Sequence, residues 1–373
     1  MSSYILILLL SLVFCEIPDE IKEKGEAAMV DPSKPYSDFL LYKKYYEEEN
    51  GKELIHPMAK PILRPKDKVV TDPEELNLIY LQSKYILTFT SYGGCNPETI
   101  GENKCCAQAL PNLIQNFTSP SGWSLVDYGT SHEDDRKYVY TNEKNYYSIF
   151  RNDIFKKIII AVPGTVEFAI QLPAEAVHSR LINFDLETYN SDDIKIAEYF
   201  GTRSYSLIPQ FFSESNLPKL KIDENYQFIF TGYSLGAAMA AAECLFALDQ
   251  KKITREKNHP LIVTFGQPRT GNEAFVSTIM REAELIYRIC NVNDFVTQIP
   301  MYSWGYRHTQ GRLDFNCDKE EYSLASTEFK YDEDVIDDSQ ELNLANIMLD
   351  AAMKLNVHLY YLGMKPWEYC FVN

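Results

Sequence analysis

The stretch FIFTGYSLGAAMAAAECLFA, residues 228–247, joins strand-forming residues to an alanine-rich segment through a serine that stands between two glycines. The pattern G-x-S-x-G between a buried strand and a helix is typical of a nucleophile elbow. On such a sharp turn, side chains two positions before and after the serine would clash, which explains Gly232 and Gly236. The pattern alone also occurs by chance in ordinary loops. Its position between strand and helix predicts that Ser234 is a nucleophile, held above a sheet edge.

The surrounding chain alternates between strands and helices. The run IIIAV within 157–162 is uniformly apolar, which is typical of a strand buried on both faces, and segments 226–230, 261–265 and 285–290 share this character. Helical stretches are predicted at about 194–213, 236–250 and 271–283, with a further helical face from Leu76 to Leu87. Segments 137–141 and 146–150 resemble a hairpin around a polar turn. The alternation predicts an α/β fold over 74–373, in which helices flank both faces of a mostly parallel central sheet.

The N-terminal part predicts a leader and an arm. The apolar run from Tyr4 to Phe14 is shorter than the about 20 residues that span a bilayer, and its length suits a signal peptide over residues 1–15. A lipoprotein role for Cys15 is the weaker alternative, because the bulky Phe14 precedes it. Residues 16–73 are acidic and contain several prolines, which indicates an arm or propeptide. We expect a secreted or lumenal (vacuolar or lysosomal) protein without a transmembrane segment.

Charge and cysteine content narrow the choice of partners. The formal net charge of −17 disfavours nucleic acid and anionic membranes as partners, whereas neutral substrates remain open. The eight cysteines include Cys15 and fit no zinc spacing. We therefore predict neither a metal nor a cofactor. Asn116 lies in the N-glycosylation sequon Asn-Phe-Thr.

A nucleophilic serine needs a base and an orienting carboxylate, which follow it along the chain in this type of fold. Three histidines lie downstream of Ser234. His259 precedes a proline at the start of a strand, the wrong end of the sheet for catalysis. His308 and His358 both remain candidates for the base. Asp294 follows a buried strand at the sheet edge where Ser234 is expected, and a simple turn-capping role is its alternative.

Several strings resemble the fungal-type (class 3) lipase family of the α/β-hydrolase superfamily. In chain order they are AVPGT (161–165), TGYSLGAA (231–238), VTFGQPRTGN (263–272), NVNDFVTQIP (291–300), YRH (306–308) and VHLYYLG (357–363). The resemblance covers about residues 75–373 and implies an α/β-hydrolase-type fold without a cofactor. It implies Asp294 as the catalytic acid and His358 as the base, with His308 in a structural role in the loop after Asp294.

The resemblance also implies an oxyanion hole, which requires two backbone amides. One is that of Leu235, directly after the nucleophile, and the other is that of Thr165 in the PGT element, where a simple turn is the alternative. Three positions depart from the family. Tyr233 stands where histidine is more frequent, Ala237 where glycine is, and Thr297 where proline is usual. None of these departures removes a catalytic group.

The segment 166–184 corresponds to the lid region of the family, although an ordinary amphipathic surface helix has the same pattern. Residues suited to an apolar cleft follow Asp294, namely Ile299, Pro300, Met301, Tyr302 and Trp304. Together these features predict a secreted serine ester hydrolase that cleaves lipid esters at a lipid–water interface, similar to a triacylglycerol lipase. The enzyme alternatives are a phospholipase and an aryl or feruloyl-type esterase. The alternative outside enzymes is a catalytically silent binding protein on the same scaffold.

The resemblance finally predicts a disulfide between Cys95 and Cys370, since family members tie the N-terminal part of the domain to the C-terminus. Such a bond closes a loop of nearly the whole domain, and the chain-entropy model gives it about 4–5 kcal/mol of stabilisation. Peptide mapping of the secreted protein without reduction should recover the two peptides linked, and a free thiol at Cys370 would contradict the pairing.

Cys244 and Cys290 are predicted to be free core thiols. Cys317 has two possible partners, Cys105 and Cys106.

Overall fold

The computed structural model describes the central strands and helices of the chain and scattered residues on either side of them. The described residues are 58, 61–62, 69–70, 78–79, 82–83, 85–87, 89–90, 123–130, 145–164, 179–189, 193–222, 225–291, 294–315, 329–330, 358 and 361. Within these ranges, no helix has both the length and the apolar character required to cross a bilayer. The predicted leader 1–15 lies outside the described residues, as does most of the arm 16–73.

The elements are numbered in chain order. The strands are β1 (Val69–Val70), β2 (Trp123–Thr130), β3 (Tyr146–Asn152), β4 (Lys157–Val162), β5 (Leu181–Asn183), β6 (Lys195–Ala197), β7 (Gln227–Tyr233), β8 (Leu261–Phe265), β9 (Leu285–Asn291), β10 (Arg312–Phe315) and β11 (Phe329–Lys330). The helices are α1 (Glu198–Phe211), α2 (Leu217–Leu220), α3 (Leu235–Asp249), α4 (Arg255–Asn258) and α5 (Glu273–Glu282). Two short 3₁₀ helices cover Phe295–Gln298 and Tyr302–Trp304.

Seven strands form one central sheet in the order β10-β9-β8-β7-β4-β3-β2. The four pairings from β10 to β4 are parallel, while β3 and β2 join antiparallel at the other edge. The predicted, mostly parallel sheet is therefore confirmed. The smaller pairs β5–β6 and β1–β11 lie outside this sheet.

The apolar strands are buried because helices cover both faces of the sheet. Along β4, Ile158 and Ile160 belong to one core cluster and Ile159 to the other, as the alternation of strand side chains requires. The first cluster contains side chains of α1, α3 and α5. The second contains Met58 and the helical residues 79, 85–87 and 89. The prediction of helices on both faces is confirmed.

The element boundaries differ from the sequence predictions in two places. The helix predicted from 194 begins at Glu198, because Lys195–Ala197 pairs with Leu181–Asn183 as a short strand. The edge strand Trp123–Thr130 was not predicted, since serine, aspartate and glycine interrupt its apolar pattern. The strand β3 pairs with this strand on one side and with β4 on the other, and the segment 137–141 of the predicted hairpin lies outside the described residues.

Part of the predicted arm packs against the core. Met58 is fully buried in the second cluster, Ile62 packs against that cluster, and Val69–Val70 pairs with Phe329–Lys330. The side-chain amide of Gln82 also donates to the carbonyl of Pro61. The division of the chain at residue 73 stays a prediction, but these contacts join residues on both sides of it.

The alanine-rich helix α3 is buried on all sides, because it contacts the sheet as well as α1 and α5. Its small side chains allow the backbones to approach closely. The same helix buries the carboxyl group of Glu243, and neither oxygen of that group has a hydrogen-bond partner within the described part of the chain. Burial raises the pKa of Glu243 well above its ordinary value, which favours the neutral acid.

Glu243→Met is expected to stabilise the protein more at high pH than at low pH. In the unfolded chain a glutamate ionises near pH 4.5, whereas the folded protein holds Glu243 protonated to higher pH. The wild-type protein therefore loses stability as the pH rises above this value, and the methionine variant does not. Removing the unpaired buried acceptor should add about 1–3 kcal/mol to the free energy of unfolding.

Urea unfolding at pH 4 and pH 8 measures this difference. Glu214→Met is a matched control, because Glu214 is exposed and its replacement leaves the core unchanged. An equal gain at both pH values would show that Glu243 does not titrate with folding.

Candidate active site

Ser234 occupies the turn between β7 and α3 in a left-handed backbone conformation, with φ 54° and ψ −122°. A Cβ atom at Gly232 would lie 2.1 Å from the carbonyl oxygen of Gly236, and one at Gly236 would lie 2.1 Å from that of Pro163. Both glycines are therefore required sterically, as the sequence predicted. The amide of Ser234 donates to the carbonyl of Phe265 at 2.9 Å, which ties the turn to the neighbouring strand β8.

Ser234, His358 and Asp294 form one continuous chain of hydrogen bonds. The Nε2 atom of His358 lies 2.8 Å from the Oγ of Ser234, and its Nδ1 atom lies 2.7 Å from Oδ2 of Asp294. With the proton on Nδ1, the imidazole donates to the carboxylate and accepts from the serine hydroxyl. Both partners of the serine are buried. The structure thus brings together the three side chains that the sequence analysis selected, and their catalytic role stays a prediction.

The parallel sheet explains why Asp294 lies on the same sheet edge as Ser234. Ser234 follows β7, and Asp294 comes three residues after the end of β9. Both strands run parallel to β8, which lies between them. Their carboxyl ends therefore share one edge of the sheet, where functional side chains of open α/β sheets gather.

Three donors hold the carboxylate of Asp294. Its Oδ1 accepts from the backbone amide of Val296 at 2.9 Å, and its Oδ2 accepts from both His358 and the hydroxyl of Tyr361. Burial and the charge of Asp294 raise the pKa of Tyr361 well above its ordinary value, so the phenol stays protonated and remains a donor. These three hydrogen bonds fix the position of the carboxyl group beside His358.

The loop after Asp294 is held by side chains from two other segments. The hydroxyl of Thr297 donates to the carbonyl of Asp294 at 2.8 Å, and the ring of His308 reaches the carbonyl of Thr297 at 2.5 Å. Arg269, which is buried, donates to the carbonyls of Gln298 and Pro300. The conformation of the loop that carries the acid is therefore fixed from outside the loop.

His308 contacts this loop and not the serine. Burial, assisted by the charges of Arg288 and Arg269, lowers the pKa of His308 well below its ordinary value. The neutral ring donates through Nε2 to the carbonyl of Thr297. This position agrees with the structural role that the resemblance implied for His308, and it places His358 alone beside Ser234 among the two candidate bases.

The predicted oxyanion donors lie on two segments that touch each other. Leu235 is the first residue of α3, so its amide is one of those that a helix leaves without an internal acceptor. Thr165 lies outside the described residues. The preceding Pro163 approaches the elbow so closely that a side chain at Gly236 would collide with its carbonyl. The described part of the loop after β4 therefore contacts the turn that carries Ser234, and the second donor stays a prediction.

Comparison with known proteins shows which proteins this chain is similar to. Residues 169–304 match the family described as lipase (class 3). A stretch of 85 residues is 32% identical to a secreted mono- and diacylglycerol lipase of Fusarium solani, and covers 22% of this chain and 23% of that protein. A stretch of 78 residues is 35% identical to a chloroplastic phospholipase A(1) of Arabidopsis thaliana, and covers 21% of this chain and 17% of that protein.

The solved triacylglyceride lipase of Rhizomucor miehei has a similar fold, with a TM-score of 0.55 at 18% identity over 81% of this chain and 98% of that one. The chain resembles the class 3 lipases. Its fold is of the α/β-hydrolase type found in these lipases. The aligned stretches span less than a quarter of the length of the two curated relatives, so activity and substrate are taken up below as proposals.

Other positions named in the sequence analysis are not all described. The predicted disulfide partners Cys95 and Cys370, the sequon residue Asn116 and the open set Cys105, Cys106 and Cys317 lie outside the described residues. Within the described part, Cys244 and Cys290 are free and buried, as predicted. Of the lid region 166–184, residues 179–184 are described, and Leu181–Asn183 forms the strand β5. In the predicted cleft lining, Pro300 is buried and Trp304 is exposed.

Two tyrosines that contact the site were not predicted from the sequence. Tyr361 lies in the string VHLYYLG (357–363), on which the choice of His358 rested. Its position three residues after the histidine was the sequence feature that could have indicated its contact with the site. Tyr233 was interpreted as a sterically mild replacement for the histidine that is more frequent in the class 3 lipases. The structure instead stacks its ring on that of His358, with centroids 5.1 Å apart.

Proposed function

We propose that this protein is a secreted serine ester hydrolase that cleaves lipid esters through an acyl-enzyme intermediate. The observation that carries the proposal is the hydrogen-bond chain from the Ser234 hydroxyl through His358 to Asp294, with its two distances of 2.8 and 2.7 Å. These distances lie in the range in which a base takes a proton from a nucleophile. The similarity to class 3 lipases supports the same reaction type.

In the first half of the proposed reaction, the Oγ of Ser234 attacks the ester carbonyl carbon while Nε2 of His358 takes the hydroxyl proton. The tetrahedral oxyanion is bound by the amides of Leu235 and Thr165. The carbonyl then re-forms, the bond to the alcohol oxygen breaks, and His358 gives its proton to the leaving alcohol. The acyl group stays on Ser234 as an ester.

In the second half, a water molecule attacks the acyl carbon and transfers its proton to Nε2 of His358. Collapse of the second tetrahedral species releases the carboxylic acid and returns the proton to Ser234. Asp294 holds the imidazole in the correct tautomer and stabilises the imidazolium formed in each half. The reaction consumes one water for each ester bond and needs no metal or cofactor.

The substrate class is proposed from the surface charge and the relatives. The formal charge of −17 disfavours an anionic lipid surface, so neutral acylglycerols suit the protein better than acidic phospholipids. Two relatives are named mono- and diacylglycerol lipases, and both names describe secreted proteins. Phospholipid is the second candidate, favoured by the similarity to a phospholipase A(1). An aryl or feruloyl-type ester remains the third, and a catalytically silent binding protein is the alternative outside enzymes.

Ser234→Ala and His358→Ala should each abolish ester hydrolysis while the protein stays folded. Loss of a triad member costs on the order of 10⁶ in kcat in other serine hydrolases, and the two residues act as a unit. Hydrolysis of a chromogenic ester and labelling of Ser234 by a fluorophosphonate probe measure the effect. Circular dichroism monitors the fold.

His308→Ala is the matched control, because it removes a buried histidine that contacts the acid loop and not the serine. It should retain measurable turnover. Substantial activity of the folded Ser234→Ala variant would refute the proposed nucleophile, and a larger loss in His308→Ala than in His358→Ala would identify His308 as the base.

Emulsified long-chain acylglycerols should be hydrolysed faster than short soluble esters. Vesicles that contain an anionic phospholipid should be the poorest substrates at low salt, because the acidic protein is repelled from them, and added salt should weaken this difference by screening. Fatty-acid release at matched ester concentration measures the order. Fastest release from phospholipid would favour a phospholipase, and a preference for soluble aryl esters would favour the third candidate.

A further inference from the structure

Tyr233 lies at the junction of the three segments that form the candidate site. It is the last residue of β7, it directly precedes Ser234, and it is 5% exposed. Its ring packs against Gly164 in the loop after β4, where an added Cβ atom would lie 2.7 Å from the tyrosine Cδ1. This residue therefore touches the nucleophile's own turn and the segment that leads to the predicted oxyanion donor Thr165.

Tyr233 also makes two different contacts with His358. Its hydroxyl donates to the backbone carbonyl of His358, and its ring stacks on the imidazole at a centroid distance of 5.1 Å and an interplanar angle of 22°. Burial and the charge of Asp294 raise the pKa of Tyr233 well above its ordinary value, so the phenol remains a donor across the working pH range. Main chain and side chain of the histidine are thus held by one tyrosine.

These two contacts restrict motions that the hydrogen bonds at the two imidazole nitrogens leave free. The hydrogen bonds to Ser234 and Asp294 both lie at the ring nitrogens, and both permit the imidazole to tilt out of its plane. The stacked phenol opposes this tilt. The bond to the carbonyl fixes the backbone of a segment that lies 125 residues away from Tyr233 in sequence. Together they define the position of Nε2 relative to the serine hydroxyl.

We propose that Tyr233 is a positioning residue, which aligns His358 with Ser234 through its carbonyl hydrogen bond and its ring stack. The proposal rests on the proposed ester hydrolysis, because the alignment matters only if His358 acts as the base. Tyr233 touches neither the substrate carbonyl nor the transferred proton in this scheme. It acts through the histidine, and the loss of its hydroxyl should affect the chemical step more than substrate binding.

Tyr233→Phe is the decisive variant, because it removes the carbonyl bond and keeps the ring stack. A displacement of the base by a fraction of an ångström should lower kcat on the order of 10-fold, since about 1 Å of misplacement costs about 100-fold. KM should stay unchanged, and the rate of Ser234 labelling by a fluorophosphonate should fall by the same factor as kcat. Tyr233→Leu, which removes the stack as well, should lose more activity than Tyr233→Phe.

Tyr226→Phe is the matched control. Tyr226 is buried directly before β7, its hydroxyl donates to Asp153 at 2.7 Å, and the length of the strand places it about 20 Å from Tyr233. It should lose a comparable hydrogen bond and a comparable amount of thermal stability, with kcat unchanged. Equal losses of kcat in both tyrosine variants would indicate a merely structural role for Tyr233.

A second readout is the downfield proton resonance of the imidazole N–H that is hydrogen-bonded to Asp294. It should exchange faster with water in Tyr233→Phe and remain as in the wild type in Tyr226→Phe. Fluorophosphonate labelling tests the proposed function separately: the wild-type protein should be labelled and Ser234→Ala should not. If that labelling occurs and Tyr233→Phe reacts at the wild-type rate with an unchanged resonance, the positioning role is refuted and the hydrolase proposal stands. If the wild type itself is not labelled, the hydrolase proposal fails first.

Discussion

The left-handed backbone of Ser234 is the constraint on which the rest of the site depends. A residue other than glycine in so sparsely populated a conformation costs on the order of 1–3 kcal/mol, and only the surrounding packing maintains it. That packing is very close, because a Cβ at Gly232 or at Gly236 would lie 2.1 Å from a backbone oxygen. The end of β7, the start of α3 and the loop after β4 are thus in contact around one hydroxyl. A larger residue at either glycine would separate these segments and move the serine away from His358.

Two different kinds of structure bring the partners to this serine. Asp294 arrives through the sheet, because β7, β8 and β9 are parallel neighbours whose carboxyl ends share one edge. His358 lies 64 residues beyond Asp294 along the chain and is held by side chains. The hydroxyl of Tyr361 binds Asp294, and the hydroxyl of Tyr233 binds the carbonyl of His358. The position of the acid follows from sheet topology, whereas that of the base depends on individual contacts.

This difference explains how much of the molecule the sequence predicts. The buried strands β4, β7, β8 and β9 are predominantly apolar, so their existence, their mostly parallel arrangement and the edge that carries Ser234 and Asp294 follow from pattern alone. His358 does not, because residue types left His308 equally possible and only the family resemblance separated them. The role of Tyr233 was not predictable either, since a stack on a residue 125 positions away depends on tertiary packing. The strand Trp123–Thr130 was missed because an edge strand needs no continuous apolar run.

The two buried carboxyl groups, Asp294 and Glu243, differ in their hydrogen-bond donors, and the hydroxyl of Tyr361 accounts for part of this difference. Asp294 is fully buried and accepts hydrogen bonds from the Val296 amide, from His358 and from Tyr361. Glu243 is equally buried in α3, lacks any such donor within the described residues, and has its pKa raised by desolvation. Burial without donors therefore favours the neutral form of Glu243, whereas both oxygens of Asp294 have hydrogen-bond donors. In the proposed reaction an imidazolium forms at His358, so the phenol of Tyr361, which donates to Asp294 and lies edge-on to the imidazole ring, would support the base through both contacts.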